Sequence, residues 1–356
     1  MKQDFKNFAI GKTYQRNMKF GILFVALGLT LPAWAQSARD EEKDADTPVN
    51  IHGTIRSKYE YQTEEGEGRF EVRNARINVD GKLSDMITYK AEIDLCDEGS
   101  IKMLDAYTRL KPVDNLKFTV GQFRVPFTID AHRSPHQQYF ANRSFIAKQV
   151  GNVRDVGASL GYSLDAGFPI ILEAGLFNGS GLTNQKNYWT SEVNYSAKAQ
   201  FMFPKGFNLT LSVQKIKPSV SVMMYDAGAY WHHGPLHIEA EYLYKRYADN
   251  AFKDVHAFDS FVSYDISTHG KLVQYVTPLL RYDFMTDHSD GTMNEEGALQ
   301  INDYKRQRLT GGITISLKKP FVSDIRINYE KYFYRTGAVV KASEKDKIVV
   351  EFMTRF

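Results

Sequence analysis

Three observations predict the fold class. About sixteen segments alternate apolar and polar residues with period two, their connections alternate between short and long, and an apolar export leader precedes them. Together they predict an all-β chain: a transmembrane antiparallel β-barrel of about 16 strands, with a long third external loop folded into the lumen.

The leader is "NMKFGILFVALGLTLPAWAQS". A basic residue, Lys19, precedes an apolar run from Phe20 to Leu31, and the small-residue site Ala33-Trp34-Ala35 follows. That pattern predicts a signal peptide over 1–35, with Met18 as a possible true start. The run is too short to cross a bilayer as a helix. Residues 36–49 are polar and charged and read as a flexible periplasmic lead. From residue 50 to residue 356 the pattern is that of the outer-membrane barrel.

The segments fall at 50–62, 68–81, 86–96, 101–111, 116–125, 153–162, 169–178, 190–203, 207–217, 220–231, 235–247, 256–265, 271–286, 304–317, 322–334 and 345–356. In the first, Ile51, Gly53, Ile55, Tyr59 and Tyr61 oppose His52, Thr54, Arg56, Lys58, Glu60 and Gln62. Such a strand has one apolar and one wet face. The eleventh sets Leu236, Ile238, Ala240, Tyr242 and Tyr244 against His237, Glu239, Glu241 and Lys245. The second slips phase near Asn74 and the fifth at Gly121, and each slip is read as a bulge. The last sets Ile348, Val350 and Phe352 against Lys347, Val349, Glu351, Met353 and Arg355. It is expected to pair with the first, so that no edge meets lipid. Phe352 and the terminal Phe356 on its outer face resemble the signal by which the barrel assembly machinery recognises such chains.

Short turns such as 82–85, 112–115 and 204–206 belong on the periplasmic side. Longer loops such as 126–152, 179–189 and 287–303 belong outside. A propeller would show a blade repeat, and none is present. A sandwich seldom turns so many Tyr and Phe outward.

Composition agrees. There are 21 Tyr and 23 Phe against 3 Trp, which suits strands with aromatic girdles. Mean hydropathy is −0.40, unlike a helical membrane protein. The formal charge of +3 falls by four to −1 when 1–35 is removed, because that segment holds five bases and one acid. Net charge therefore gives no reason to expect nucleic acid as a partner. The single cysteine, Cys96, cannot form an internal disulfide. The nine histidines lack metal-site spacing with matching carboxylates, and Ser and His are scattered along strands. No enzyme, metal or cofactor is expected.

The longest connection, 126–152, carries Arg133, Arg143 and Lys148 against Asp130, with His132 and His136. Arg124 precedes it and Arg154 follows. A wide, watery lumen needs a constriction, and cations there would favour anions. Arg124, Arg133, Arg143, Lys148 and Arg154 are therefore the candidate constriction residues. Arg56, Arg73, Arg76, Lys90 and Lys117 are candidate pore-wall residues, with Arg281 and Arg326 on the same face. They alternate with Glu60, Glu92, Asp94, Asp283 and Glu330, a pattern equally suited to pairing across the wall.

The stretches "GQFRVPFTID" (121–130), "RNARINVDGKLSDMITYKAEIDL" (73–95) and "RDVGASLGY" (154–162) resemble the phosphate-selective porin O and P family. In that family a Gly-Gln-Phe-basic-x-Pro-Phe strand leads into the third loop and an Arg-Asp-x-Gly strand follows it. The resemblance implies a sixteen-stranded trimer in the bacterial outer membrane whose inward third loop guides anions such as phosphate. Arg124 and Arg154 fit its motif positions. The mixed signs of the inward charges depart from the long cationic ladder the resemblance implies. The expected function is a passive diffusion channel for small hydrophilic solutes with a lean toward anions. The alternative is a non-conducting barrel acting as an adhesin or structural protein.

Overall fold

The computed structural model describes residues 49–356, apart from 98, 151–152, 183–184, 320–321, 336 and 339. The signal peptide expected over 1–35, and residues 36–48 of the lead, lie outside the described residues.

Seventeen strand segments form one antiparallel sheet. They are β1 (Asn50–Gln62), β2 (Gly68–Ser84), β3 (Ile87–Asp97), β4 (Ser100–Val113), β5 (Leu116–Arg124), β6 (Arg154–Asp165), β7 (Pro169–Phe177), β8 (Asn194–Met202), β9 (Phe207–Ile216), β10 (Val222–His233), β11 (Leu236–Tyr247), β12 (Val255–Tyr264), β13 (Ile266–Ser267), β14 (Val273–Met285), β15 (Arg306–Leu317), β16 (Ser323–Tyr334) and β17 (Lys347–Arg355). The two-residue β13 continues β12 along the same neighbour, β14. The wall therefore has sixteen strands. The break falls opposite Pro278, which has no N–H to give the ladder. Thr277 Oγ1 donates to Asp265 Oδ1 at 2.6 Å beside it.

The sheet closes where β1 pairs with β17, from Thr54↔Arg355 to Gln62↔Lys347. Every strand then has two neighbours, the condition for β-structure in hydrocarbon. The polarity is inverted relative to a soluble domain. In β1, Thr54, Arg56, Lys58 and Glu60 point inward and are buried, while Ile55 and Tyr61 are exposed on the outer face. In β17, Val349, Glu351 and Met353 are buried, while Ile348, Val350 and Phe352 are exposed.

One phase slip is a bulge and the other is not. Arg56 faces Asn74 and Ser57 faces Val72, so Arg73 is the extra residue. Across Gly121 the register runs unbroken against both neighbours. Gly121 instead adopts φ +129, where a Cβ would come within 2.2 Å of the Ala106 carbonyl oxygen. β8 begins at Asn194, later than expected, because Trp189 and Thr190 belong to the preceding loop.

The loop between β5 and β6 runs through the barrel interior. Arg56 of β1 donates to Gln138 Oε1 at 2.8 Å and to the Ala141 carbonyl at 2.7 Å. On other sides, Ser196 of β8 donates to the Pro126 carbonyl at 2.8 Å and Arg281 of β14 to that of Asn142 at 3.0 Å. Ala141 N donates to Asn328 Oδ1 of β16 at 2.9 Å. These partners surround the loop. Its α-helix, α1 (Phe145–Gln149), is too short to show a period in sequence. Ser144 caps it, with Oγ accepting from Ala147 N at 3.1 Å.

On the extracellular side a core fills part of the lumen. Phe127, Phe145, Ile146 and Val150 of the loop pack with Val222, Met224, Leu243, Val255, Ala257 and Met285 from the strand ends. Two large open spaces lie on the β1–β4 side of the loop and a third on its other side.

Candidate functional site

Two chambers lie on opposite faces of the loop, against the β1–β4 side. The outer one, about 910 Å³, is lined by Lys58, Arg69, Arg73, Arg143, Lys148, Arg308 and Lys347 against Glu60 and Glu71. The inner one, about 840 Å³, is lined by Arg76, Lys82, Lys90, Arg109, Lys111 and Arg355 against Asp80 and Glu92. Cations outnumber carboxylates about three to one along both, although the chain as a whole is nearly neutral.

Part of this excess is balanced by acids set behind the lining: Asp283 and Glu330 on Arg308, Glu344 on Lys148, Asp94 on Arg76 and Asp105 on Lys90. On the far wall, Glu241 accepts from Ile129 N at 2.5 Å and from Asp130 N at 3.3 Å. Asp283 accepts from Phe145 N at 3.2 Å. Acids from β11 and β14 thus hold the loop's amide groups.

Within the loop, Asp130 Oδ2 accepts from Ser144 N at 3.1 Å and Ser144 Oγ at 2.8 Å. Burial raises the Asp130 pKa, but Arg133, Arg143 and Arg281 outweigh it and hold the carboxyl below its usual range. Thr128 sits at φ +60, unusual for a β-branched residue, and its N–H donates to Ser212 Oγ at 3.1 Å.

The five constriction candidates separate into distinct roles. Arg143 donates to the carbonyls of Asp130 at 3.0 Å, Ala131 at 3.3 Å and Arg133 at 3.1 Å. Arg124 donates to the His132 carbonyl at 2.5 Å. Among the described residues neither has a carboxylate within ion-pair distance. Burial lowers the Arg143 pKa most. Asp130 pulls it back, Arg76, Arg56 and Arg154 push it down, and it settles at about 10. Arg143 therefore stays charged at neutral pH beside other guanidinium groups.

Arg154 is neutralised, with Nε on Asp105 at 2.6 Å and Nη2 on Glu92 at 3.2 Å. Arg133 turns to the far wall and pairs with Glu239 and Asp130, away from the β1–β4 chambers. Lys148 is half exposed and pairs with Glu344 of the last outer loop.

The wall candidates divide similarly. Arg76 pairs with Asp94 at 2.9 Å, and Lys90 with Glu92 at 2.7 Å and Asp105 at 3.1 Å. Arg56 shares the buried Glu351 with Arg326, two cations on one carboxylate. Arg73 lies 3.7 Å from Glu71 at the bulge. Lys117 pairs with Glu173 at 3.2 Å outside the two chambers. Arg308 and Lys347 line the outer chamber and were not among the sequence candidates. Their inward parity on β15 and β17 was the available signal. Phe352 and Phe356 are exposed, the first on the outer face of β17.

The string Gly157-Ala158-Ser159-Leu160-Gly161 has the spacing of a nucleophile elbow, but it lies in the middle of β6 with unbroken register on both sides. No strand-to-helix turn presents Ser159. Its hydroxyl faces Glu173 Oε1 at 3.4 Å.

The sequence model of the phosphate-selective porin O and P family matches residues 49–222. No curated protein matches the chain in sequence. Among solved structures, the outer membrane channel DcaP of Acinetobacter baumannii is similar with TM-score 0.59 at 15% identity, over 89% of this chain and 99% of that one. The trimer form of Vibrio cholerae OmpT gives 0.58 at 13%, over 87% and 99%. The anion-selective porin from Comamonas acidovorans gives 0.58 at 11%, over 87% and 99%. At these identities the likeness speaks for the fold. With the family match and the closed barrel together, the chain is an outer-membrane porin whose residues 49–222 carry the sequence pattern of the phosphate-selective porin O and P family.

Proposed function

We propose that this porin is a passive diffusion channel for small hydrophilic solutes with a lean toward anions such as phosphate. Arg124 and Arg143 carry the reading, because backbone carbonyls hold both without neutralising either. An anion between the two chambers exchanges part of its hydration for guanidinium donors. A carbonyl-held guanidinium keeps donors for the solute and is not locked to a fixed acid, so contacts form and break. The paired residues Arg76, Lys90 and Arg154 shape the wall without adding net charge. Barrel neighbours include a trimer form, and we assign this chain to homotrimers with the outer apolar belt in outer-membrane lipid. Phe352 and Phe356 would serve recognition by the barrel assembly machinery.

Planar-bilayer recordings test the reading. Chloride current should appear in steps and fall when millimolar phosphate is added. Background conductance would contradict the channel, and chloride current indifferent to phosphate would remove phosphate as a favoured solute.

A further inference from the structure

A third chamber lies on the other side of the loop and takes no part in the β1–β4 pathway. It measures about 850 Å³, within the range of small-molecule sites. Gly206, in the short turn 204–206, and His232, at the end of β10 next to a short turn, line it, so it opens toward the periplasm. On the extracellular side the core of Phe127, Met224 and Leu243 closes the barrel. The chamber is a blind recess.

Of its charged lining residues Lys198 is the one without a close partner, and Glu173, Glu241 and Asp226 act on it only from beyond ion-pair distance. Glu173 faces Lys198 across β7 and β8, yet it pairs with Lys117 instead. Arg133 is satisfied by Glu239 and Asp130. Lys198 is left buried at 7% exposure, lines the chamber, and has no hydrogen-bond or ion-pair partner among the described residues. A buried ammonium without a partner is costly, and a ligand anion would relieve it. His132, on the same wall, is held in its neutral form by burial first and then by Lys198 and Arg124.

The rest of the lining is rich in groups that recognise hydroxyls. Gln137, Gln200 and Asn208 contribute amides. Tyr139 and Tyr230 stack on His237 at 4.8 and 5.5 Å, and neither hydroxyl has a partner among the described residues. A simple inorganic anion would use Lys198 and leave these groups unused.

We infer that this recess binds a monoanionic, hydroxylated ring of sugar size, a hexuronic acid or a similar sugar acid, from the periplasmic side. The carboxylate meets Lys198, and the ring hydroxyls meet the amides and the tyrosine hydroxyls. The inference goes beyond the channel reading and stands whether or not the barrel prefers anions.

Calorimetric titration of the purified full-length barrel with glucuronate tests it. The unmodified protein should bind with a dissociation constant of about 1 mM or tighter. Lys198→Gln should weaken binding by at least about tenfold, the loss expected for a charge-assisted hydrogen bond. Tyr230→Phe, which removes one oxygen and keeps the ring, should weaken it several-fold. Lys271→Gln, at an exposed lysine outside all three chambers, should bind as the unmodified protein does, and glucose and inorganic phosphate should not compete. Absence of glucuronate binding, equal binding by Lys198→Gln, loss of binding in Lys271→Gln, or competition by phosphate at similar affinity would each overturn the proposal.

Discussion

Arg56 Nη2 donates to the Ala141 carbonyl at 2.7 Å, tying the first strand to the loop between the fifth and sixth strands across 85 residues of sequence. The same guanidinium reaches Gln138 and Glu351. Arg56→Met removes these anchors while Glu351 keeps Arg326 at 2.7 Å. Each lost bond to a charged group is worth about 2 kcal/mol. The expected outcome is a lower temperature of heat modification and a noisier, larger single-channel conductance. Unchanged conductance would show that the anchor does not position the loop.

The loop itself fills much of the lumen, with Phe127, Phe145 and Ile146 buried against strand ends. Deleting residues 128–150 should raise conductance several-fold and weaken selectivity together. Folding of the deletion is checked by its heat-modifiable mobility. Folded barrels with unaltered conductance would contradict the loop's role as the constriction.

pH bears on the charge of the loop. Arg143 has a pKa lowered to about 10 by burial and by its arginine neighbours. It is charged at pH 7, and raising the pH through 10 discharges it. Anion preference should therefore fall between about pH 9 and 11. Because the folded value lies below that of the unfolded chain, the folded state releases this proton first. The residue's contribution to stability rises from about pH 10 upward and does not fall.

Cys96 provides a reporter, since it lines the outer chamber beside Arg73 and its thiol donates to the Val72 carbonyl at 3.2 Å. Seven cations against two carboxylates surround that space. A negatively charged thiosulfonate should modify Cys96 several-fold faster than a positively charged one of similar size, and the difference should shrink in high salt. Equal rates at low salt would mean that the chamber carries no positive potential.

Much of this architecture is legible in the alternation of residues. Lipid outside and water inside give each strand opposite faces, so the parity of Arg56, Lys58 and Arg76 could be read directly. Pairing could not. Arg154 meets Glu92 across 62 residues and Arg133 meets Glu239 across 106, and neither separation leaves a local signature. The Arg73 bulge shifts the phase visibly, whereas Gly121 shifts it through a positive φ without an extra residue. The inward apolar residues Met224, Leu243 and Met285 break the rule of a wet lumen because the loop covers them. A strand pattern records which face a residue takes, but not what crosses the lumen to meet it.

The central claim is that two carbonyl-held guanidiniums set the lean toward anions. The most direct measurement is the zero-current potential across a planar bilayer under a tenfold potassium chloride gradient, for the unmodified porin and for Arg124→Gln/Arg143→Gln. The account predicts an anion-selective potential that moves most of the way to zero in the double variant, with both barrels equally heat-modifiable. A cation-selective unmodified porin, or a double variant with the same potential, would contradict it.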